Sequence, residues 1–279
     1  MDSITPTMPG QAEALALRYG PDAVPPAGPW SDAIALLLGH RSVRAYRPDA
    51  PPAGTLETLV AAAQSAATSS NLQTWSVVAV SDPAVRAQLA TIAGGQKHIE
   101  QCPLFLVWLA DLSRLGRIAD AEGRTLEGLP YLETFLVASI DAALAAQNAV
   151  VAAESLGLST VYIGALRNDV EAVARLLRLP PGAAGVFGLC VGYAEPAATG
   201  EVKPRLPQSA VLHRETYGIG DERAQRAAYD GLMGAFSRRN EMQADTWTER
   251  VLARIASIRS LRGRDRLKPA LRALGFPLR

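Results

Sequence analysis

Three short stretches of the chain gather cations beside turn-forming residues: His40-Arg41-Ser42-Val43-Arg44, Gly94-Gly95-Gln96-Lys97-His98 and Lys203-Pro204-Arg205. Only three of the 28 basic residues are lysine, and two of these, Lys97 and Lys203, fall in the clusters, as do His40 and His98, two of the three histidines. Such gathering suits a phosphorylated, electron-accepting ligand better than a solvated face. Arg41, Ser42 and Arg44 offer charged donors and a hydroxyl within five residues, enough to hold a phosphate and reach a second polar group. Taken alone, the first stretch also reads as cations drawn to the negative end of a helix dipole. A fourth segment, Thr68-Ser69-Ser70-Asn71-Leu72-Gln73-Thr74-Trp75, ends an apolar helix in small polar residues before a buried strand. It reads either as ordinary turn formers or as a hydrogen-bonding wall for a flat heterocycle.

The elements that must position these residues follow from periodicity. Gln11 to Tyr19 reads as a short helix in an otherwise irregular N-terminal extension over 1–30, where Pro21, Pro25, Pro26 and Pro29 forbid regular structure. Ser31 caps a helix ending at Gly39, with Ile34, Leu37 and Leu38 on one face. Apolar residues at helical spacing predict a helix from Thr55 to Ala67, and β-rich composition predicts a strand from Trp75 to Val80. Pro83 opens the next helix. Leu104 to Ala110 is a seven-residue apolar run, as expected of a strand covered on both faces. Tyr131 to Leu156 is the longest helix. Its Ala138, Ala142, Ala145, Ala149 and Ala152 allow close contact with the core or with a partner. Ser159 to Ile163 and Val186 to Tyr193 read as strands, and Asn168 with Glu171 as a capping-box start to the helix between them. Asp111 to Pro130 is read as loop. Helices are expected at Asp221 to Phe236, Thr246 to Leu261 and Arg266 to Leu274.

Several classes of protein are disfavoured. A net charge of +1 gives no strongly basic face for nucleic acid. The stretch from Arg238 to Arg279 carries eleven Lys or Arg against four Asp or Glu, and reads as a solvated helical face. Cys102 and Cys190 have no metal-ligand spacing around them and are expected to be buried free thiols in a reducing cytoplasm. No apolar leader precedes Arg18, the first basic residue, and no run of about 20 apolar residues stands out as a membrane span. Gly94-Gly95 lacks the spacing of a dinucleotide fingerprint, and there is no phosphate-binding glycine loop of the Walker type.

Taken in order, H-R-S-V-R-A-Y, S-S-N-L-Q-T-W, G-G-Q-K-H, A-x-Q-N-A-x-x-A-A-E-S-L-G-L-x-x-V-Y-I-G, F-G-L-C-V-G and K-P-R-L-P resemble the nitroreductase family, and within it the NAD(P)H-dependent flavin reductase and oxygen-insensitive nitroreductase branch. The resemblance covers 31–279 as one FMN-binding domain. It implies an α+β fold with a central, mostly antiparallel sheet flanked by helices, an intertwined homodimer, FMN as cofactor, NADPH or NADH as co-substrate, and a cytoplasmic enzyme without metal.

The resemblance also implies residue roles. His40, Arg41 and Ser42, joined by Lys203 and Arg205, fall at the FMN phosphate. Arg44 falls near the N1–O2 edge, where two-electron reduction places negative charge that a fixed guanidinium stabilises. Thr68, Ser69 and Ser70 fall along the flavin, and Gln96 at the ring's polar edge. Tyr162, Ile163, Gly164 and Ala165 pass along the isoalloxazine with backbone N–H groups toward N5. No catalytic side chain is implied, because the chemistry belongs to the flavin. Arg238 and Arg239 fall at the start of the loop that takes the 2′-phosphate of NADPH. Its end has Gln243 and Ala244 where relatives carry arginines, and Glu241 adds opposing charge, so the preference for NADPH over NADH is weakened. The implied activity is ping-pong hydride transfer from NAD(P)H to a nitroaromatic, quinone or flavin acceptor. A flavin-binding or sensing module without turnover is the alternative.

Overall fold

A computed structural model of the chain describes residues 10–198, 200–242 and 246–279. Helix α1 (Gln11–Tyr19) is closed by Gly20 at φ 79°, a left-handed value natural to glycine. The Ser31 hydroxyl caps α2 (Asp32–Gly39), accepting from Ile34 N at 3.4 Å. Helix α3 (Thr55–Gln64) passes through a 3-10 turn at Ser69–Asn71 into β1 (Trp75–Ala79). Asp82 caps α4 (Pro83–Ile92), with Pro83 in the first turn, where its missing N–H is not needed. Then come α5 (His98–Gln101), β2 (Leu104–Asp111), α6 (Ser113–Ala121), α7 (Leu132–Ser155) and β3 (Ser159–Ile163). A 3-10 segment, Gly164–Asn168, leads to α8 (Val170–Leu176) and β4 (Ala183–Gly192). Helices α9 (Glu222–Arg239), α10 (Trp247–Ile255) and α11 (Leu267–Ala273) complete the described elements.

Two compact units divide the chain, one from Met1–Arg41 and Gly200–Ser260, the other from Ser42–Thr199 and Leu261–Arg279. The second unit holds a four-stranded sheet in the order β1-β2-β4-β3, antiparallel throughout. Strand β2 is buried along almost its whole length because both sheet faces are covered. Phe105, Val107 and Leu109 face one core with Leu89, Ile99 and Ile163. Leu106 and Trp108 face the other with Leu59, Ala63 and the α7 alanines. The first unit has its own smaller core of Tyr229, Met233 and Phe236, with Leu206, Leu232 and Trp247 packed on it. Helix α1 buries Ala14 and Leu15.

Of the alternatives left open for the long helix, the structure shows core contact on its alanine face. Ala138, Ala142, Ala145 and Ala149 are buried inside the second unit. Leu132, Leu136, Ile140 and Leu144, four residues apart on another face, are 44–56% exposed. Helix α7 is also, by length and composition, apolar enough to cross a membrane, a property that reading single apolar runs overlooks because Asp141 interrupts it.

Other expectations shift. Val186 is not the start of its strand: Ala183, Ala184 and Gly185 pair with Asp111, Ala110 and Leu109, extending β4. The cap of α8 is Asp169, whose Oδ1 accepts from Ala172 N at 2.8 Å, rather than Asn168, whose side chain donates to Ile92 O. The segment read as loop over Asp111 to Pro130 contains α6. On α2, Ala35 is buried while Ile34 and Leu37 are exposed. The helix expected over Thr246 to Leu261 ends at Ile255 and resumes as a 3-10 turn at Ile258–Leu261. Cys102 and Cys190 are free and buried, as expected.

Candidate functional site

The first unit brings together two of the three cationic stretches. The guanidinium of Arg18, on α1, donates to the carbonyl oxygens of His40 at 3.0 Å and Lys203 at 2.7 Å, and to that of Leu38. Arg41 Nη1 reaches Gly200 O at 3.4 Å. Segments about 160 residues apart in sequence are therefore neighbours at His40–Arg41 and Lys203–Arg205. The second of these is held from α9 as well, since Tyr229 Oη donates to Pro204 O at 2.9 Å and the Lys203 ammonium lies 5.8 Å from the centre of the Phe236 ring. The Arg205 guanidinium is exposed, with Nη1 near the Lys203 and Pro204 carbonyls at 3.2 and 3.3 Å.

In the second unit, Ser42 bridges Thr160 of β3, and Val43 N donates to Thr160 O at 3.0 Å. Arg44 is exposed and has no hydrogen bond or ion pair among the described residues. Burial first, and the Arg44 charge second, hold the His98 imidazole below the ordinary histidine range. His98 Nε2 is buried without a hydrogen-bond partner among the described residues. Gln96 is half-buried and donates Nε2 to Ala93 O at 2.9 Å, anchoring it to the end of α4.

Helix α7 carries the supports for the remaining segments. Asp141, 1% exposed, accepts from Ser69 N at 3.1 Å and from Thr74 N and Oγ1 at 3.2 and 3.0 Å. Between these anchors Ser70, Asn71 and Gln73 take φ of 48°, 54° and 51°, so the Thr68–Thr74 loop is a tight left-handed excursion rather than a slack connection. Six residues after Asp141, Gln147 Oε1 accepts from Tyr162 Oη at 3.3 Å, and the Tyr162 ring stands edge-on to Phe187 at 5.1 Å. Burial pushes the Tyr162 phenol up. Ile163 is buried, so this residue can meet a ligand through its backbone only. Behind Gly164 lies the Arg167 guanidinium: a Cβ at Gly164 would sit 3.2 Å from its Nη2. The backbone turn after β3 is thus bare of side chain at Gly164 and carries only a methyl at Ala165, with a cation beside Gly164.

Arg238 and Arg239 occupy the last turn of α9, not a loop, which corrects the expectation for that segment. Arg239 is ion-paired with Glu201, Nη2 to Oε2 at 2.9 Å and Nε to both oxygens at 3.2 Å, and this holds the Glu201 carboxyl below its usual range. Glu201, rather than Glu241, is the opposing charge seen. Gln243 and Ala244 lie outside the described residues. Sequence reasoning missed Arg18, Asp141 and Glu201. The first two are lone charges placed on the buried faces of their helices, a signal that was present.

An antiparallel sheet between two helical cores, together with a second helical unit, defines an α+β protein. The chain belongs to the nitroreductase family: the family model matches residues 37–193, and that of the nitroreductase family C-terminal domain matches 203–279. It is 39% identical over 227 residues to FMN reductase (NADPH) of Bacillus subtilis, spanning 80% of this chain and 90% of that protein. It is 39% identical over 224 residues to the oxygen-insensitive NADPH nitroreductase of Salmonella typhimurium, spanning 79% and 90%. The solved structure of NADPH:FMN oxidoreductase from Vibrio harveyi complexed with NAD+ superposes with a TM-score of 0.79 at 33% identity, covering 89% of this chain and all of that one.

Proposed function

We propose that the protein is an NAD(P)H-dependent FMN oxidoreductase that passes hydride by a ping-pong mechanism to nitroaromatic, quinone or flavin acceptors. The observation that carries this is the meeting of His40–Arg41 with Lys203–Arg205. The donor set fits FMN: fixed cations for a phosphate, an uncommitted guanidinium at Arg44, and a backbone turn stripped of side chain at Gly164.

When bound, FMN supplies the hydride-accepting and hydride-donating ring. The chain's own residues do the rest. His40, Arg41, Ser42, Lys203 and Arg205 hold the phosphate by charge-assisted hydrogen bonds. Arg44 offers positive charge, free of other partners among the described residues, where negative charge develops. Ser69 and Ser70, on the Asp141-anchored loop with Thr68, and Gln96 supply polar contacts to the ring. The Gly164–Ala165 backbone lets the ring approach closely. Arg238 and Arg239 serve the nicotinamide nucleotide, Arg239 in competition with Glu201.

Residues 31–279 form the catalytic domain and 1–30 its extension. The working form is a homodimer, supported by the exposed Leu132, Leu136, Ile140 and Leu144 stripe on α7. The two free thiols suit the reducing cytoplasm. The Lys203→Ala/Arg205→Ala variant tests the reading: it should lose most of its FMN, measured as flavin released per protein on denaturation, and full retention would overturn the phosphate assignment. Rapid mixing with NADPH separates an enzyme, whose flavin bleaches within the mixing experiment, from a sensing module, whose flavin stays oxidised.

A further inference from the structure

We propose that Arg18 makes the N-terminal helix a working part of the phosphate site: it is a positioning residue that fixes both cationic stretches from behind. The inference rests on the phosphate assignment above, and it concerns a residue outside both matched regions of the family.

Arg18 is 5% exposed, an unusual place for a guanidinium. Burial of such a group is tolerated only where its donors are satisfied. Here the planar fork of N–H groups spans three carbonyls on two segments, Leu38 and His40 on one and Lys203 on the other. The clasp is reciprocal, since Arg205 N donates to Arg18 O at 2.8 Å. One side chain and its own carbonyl therefore bind the segment preceding Arg41 to the segment bearing Lys203 and Arg205.

The direction of these bonds matters. In a trans peptide the C=O and the following N–H point opposite ways. With the His40 carbonyl turned onto Arg18, the Arg41 N–H is aimed away from it, and it donates to no acceptor among the described residues. Arg18 thus presents a backbone donor beside the Arg41 side chain and adds buried positive charge behind both. Prefixed donors of this kind raise affinity by removing the ordering cost of binding.

A purely architectural arginine would disturb every flavin alike, whereas a phosphate-positioning one discriminates FMN from riboflavin, which has the ring and ribityl chain but no phosphate. Apoprotein of the wild type, Arg18→Met and Arg18→Lys would be titrated with each by quenching of flavin fluorescence, with urea midpoints measured alongside. Arg18→Met should weaken FMN about tenfold or more while riboflavin affinity stays within about twofold. Arg18→Lys, which keeps the charge and fewer donors, should fall between. The idea fails if FMN and riboflavin weaken together, or if FMN affinity is unchanged in both variants. Should Arg18→Met not fold, the FMN-to-riboflavin ratio of Arg18→Lys decides alone. Retention of FMN by Lys203→Ala/Arg205→Ala would instead sink the phosphate assignment itself, a distinguishable outcome.

Discussion

Removing the Asp141 carboxylate should loosen the Thr68–Thr74 loop and with it the grip on flavin. The carboxylate is buried and takes three donors, one at the start of the loop and two at its end. Between them Ser70, Asn71 and Gln73 hold left-handed backbone, which costs about 1 kcal/mol or more at each non-glycine residue and persists only where its surroundings impose it. Each hydrogen bond to a charged acceptor contributes about 1.5–3 kcal/mol, and part of that total is offset by desolvation of the carboxylate, so Asp141→Ala should cost about 3–4 kcal/mol. Asp141→Asn keeps an acceptor for Ser69 or for Thr74 but not both, and should cost roughly half as much. In a chain of this size these losses lower the melting temperature by roughly 6–12 °C and 3–6 °C. Thermal melting followed by circular dichroism gives the stability, and flavin retained through gel filtration gives the functional arm. If Asp141→Asn melts with the wild type and keeps its flavin, the carboxylate does not organise this loop and the reasoning is refuted.

Two further outcomes follow from packing and charge. Gly188 lies mid-strand in β4, where a Cβ would sit 2.7 Å from Phe105 Cζ and 3.2 Å from Leu166 Cδ1, so Gly188→Ala should destabilise by about 1–3 kcal/mol. Gly185→Ala, whose nearest contact is Val173 Cγ1 at 3.2 Å, should shift the urea midpoint less, and the reverse order would be fatal to this account of the sheet. Glu201→Gln should release Arg239 for a 2′-phosphate: because an exposed ion pair is weak, the KM for NADPH should fall only about two- to fivefold, with the KM for NADH unmoved. Equal changes for both nucleotides would show that Arg239 does not read the 2′-phosphate.

Most of the framework was legible because it rests on periodicity and punctuation. The β2 run announces a strand covered twice, and Pro83 announces the first turn of a helix; both stand where they were expected. Boundaries moved where small residues blur the pattern, as at Ala183–Gly185, which join β4 through register with β2 rather than through any β-propensity of their own. The cationic stretches were legible as clusters, and the family resemblance implied that His40 and Arg41 join Lys203 and Arg205, but composition and spacing did not show what joins them, since the bonds between His40 and Lys203 run through a residue of the N-terminal helix.

The two missed supports share one physical signature. Arg18 follows Ala14 and Leu15 by four and three residues, and so falls on the face that α1 buries. Asp141 lies three residues after Ala138 and four before Ala145, on the alanine face of α7. A charge set into an apolar stripe reads at first as an interruption of the pattern. Its burial is costly unless backbone groups or an opposite charge satisfy it. Here the partners include backbone carbonyls for Arg18, and two backbone N–H groups and the Thr74 hydroxyl for Asp141. Helices bring such charges to fixed positions, and the loops that carry the proposed site residues are tied to them by these hydrogen bonds. A lone buried charge on a helix therefore points to the loop whose conformation it sets, and in this chain both loops so indicated are ones whose composition admitted a ligand as one of two readings.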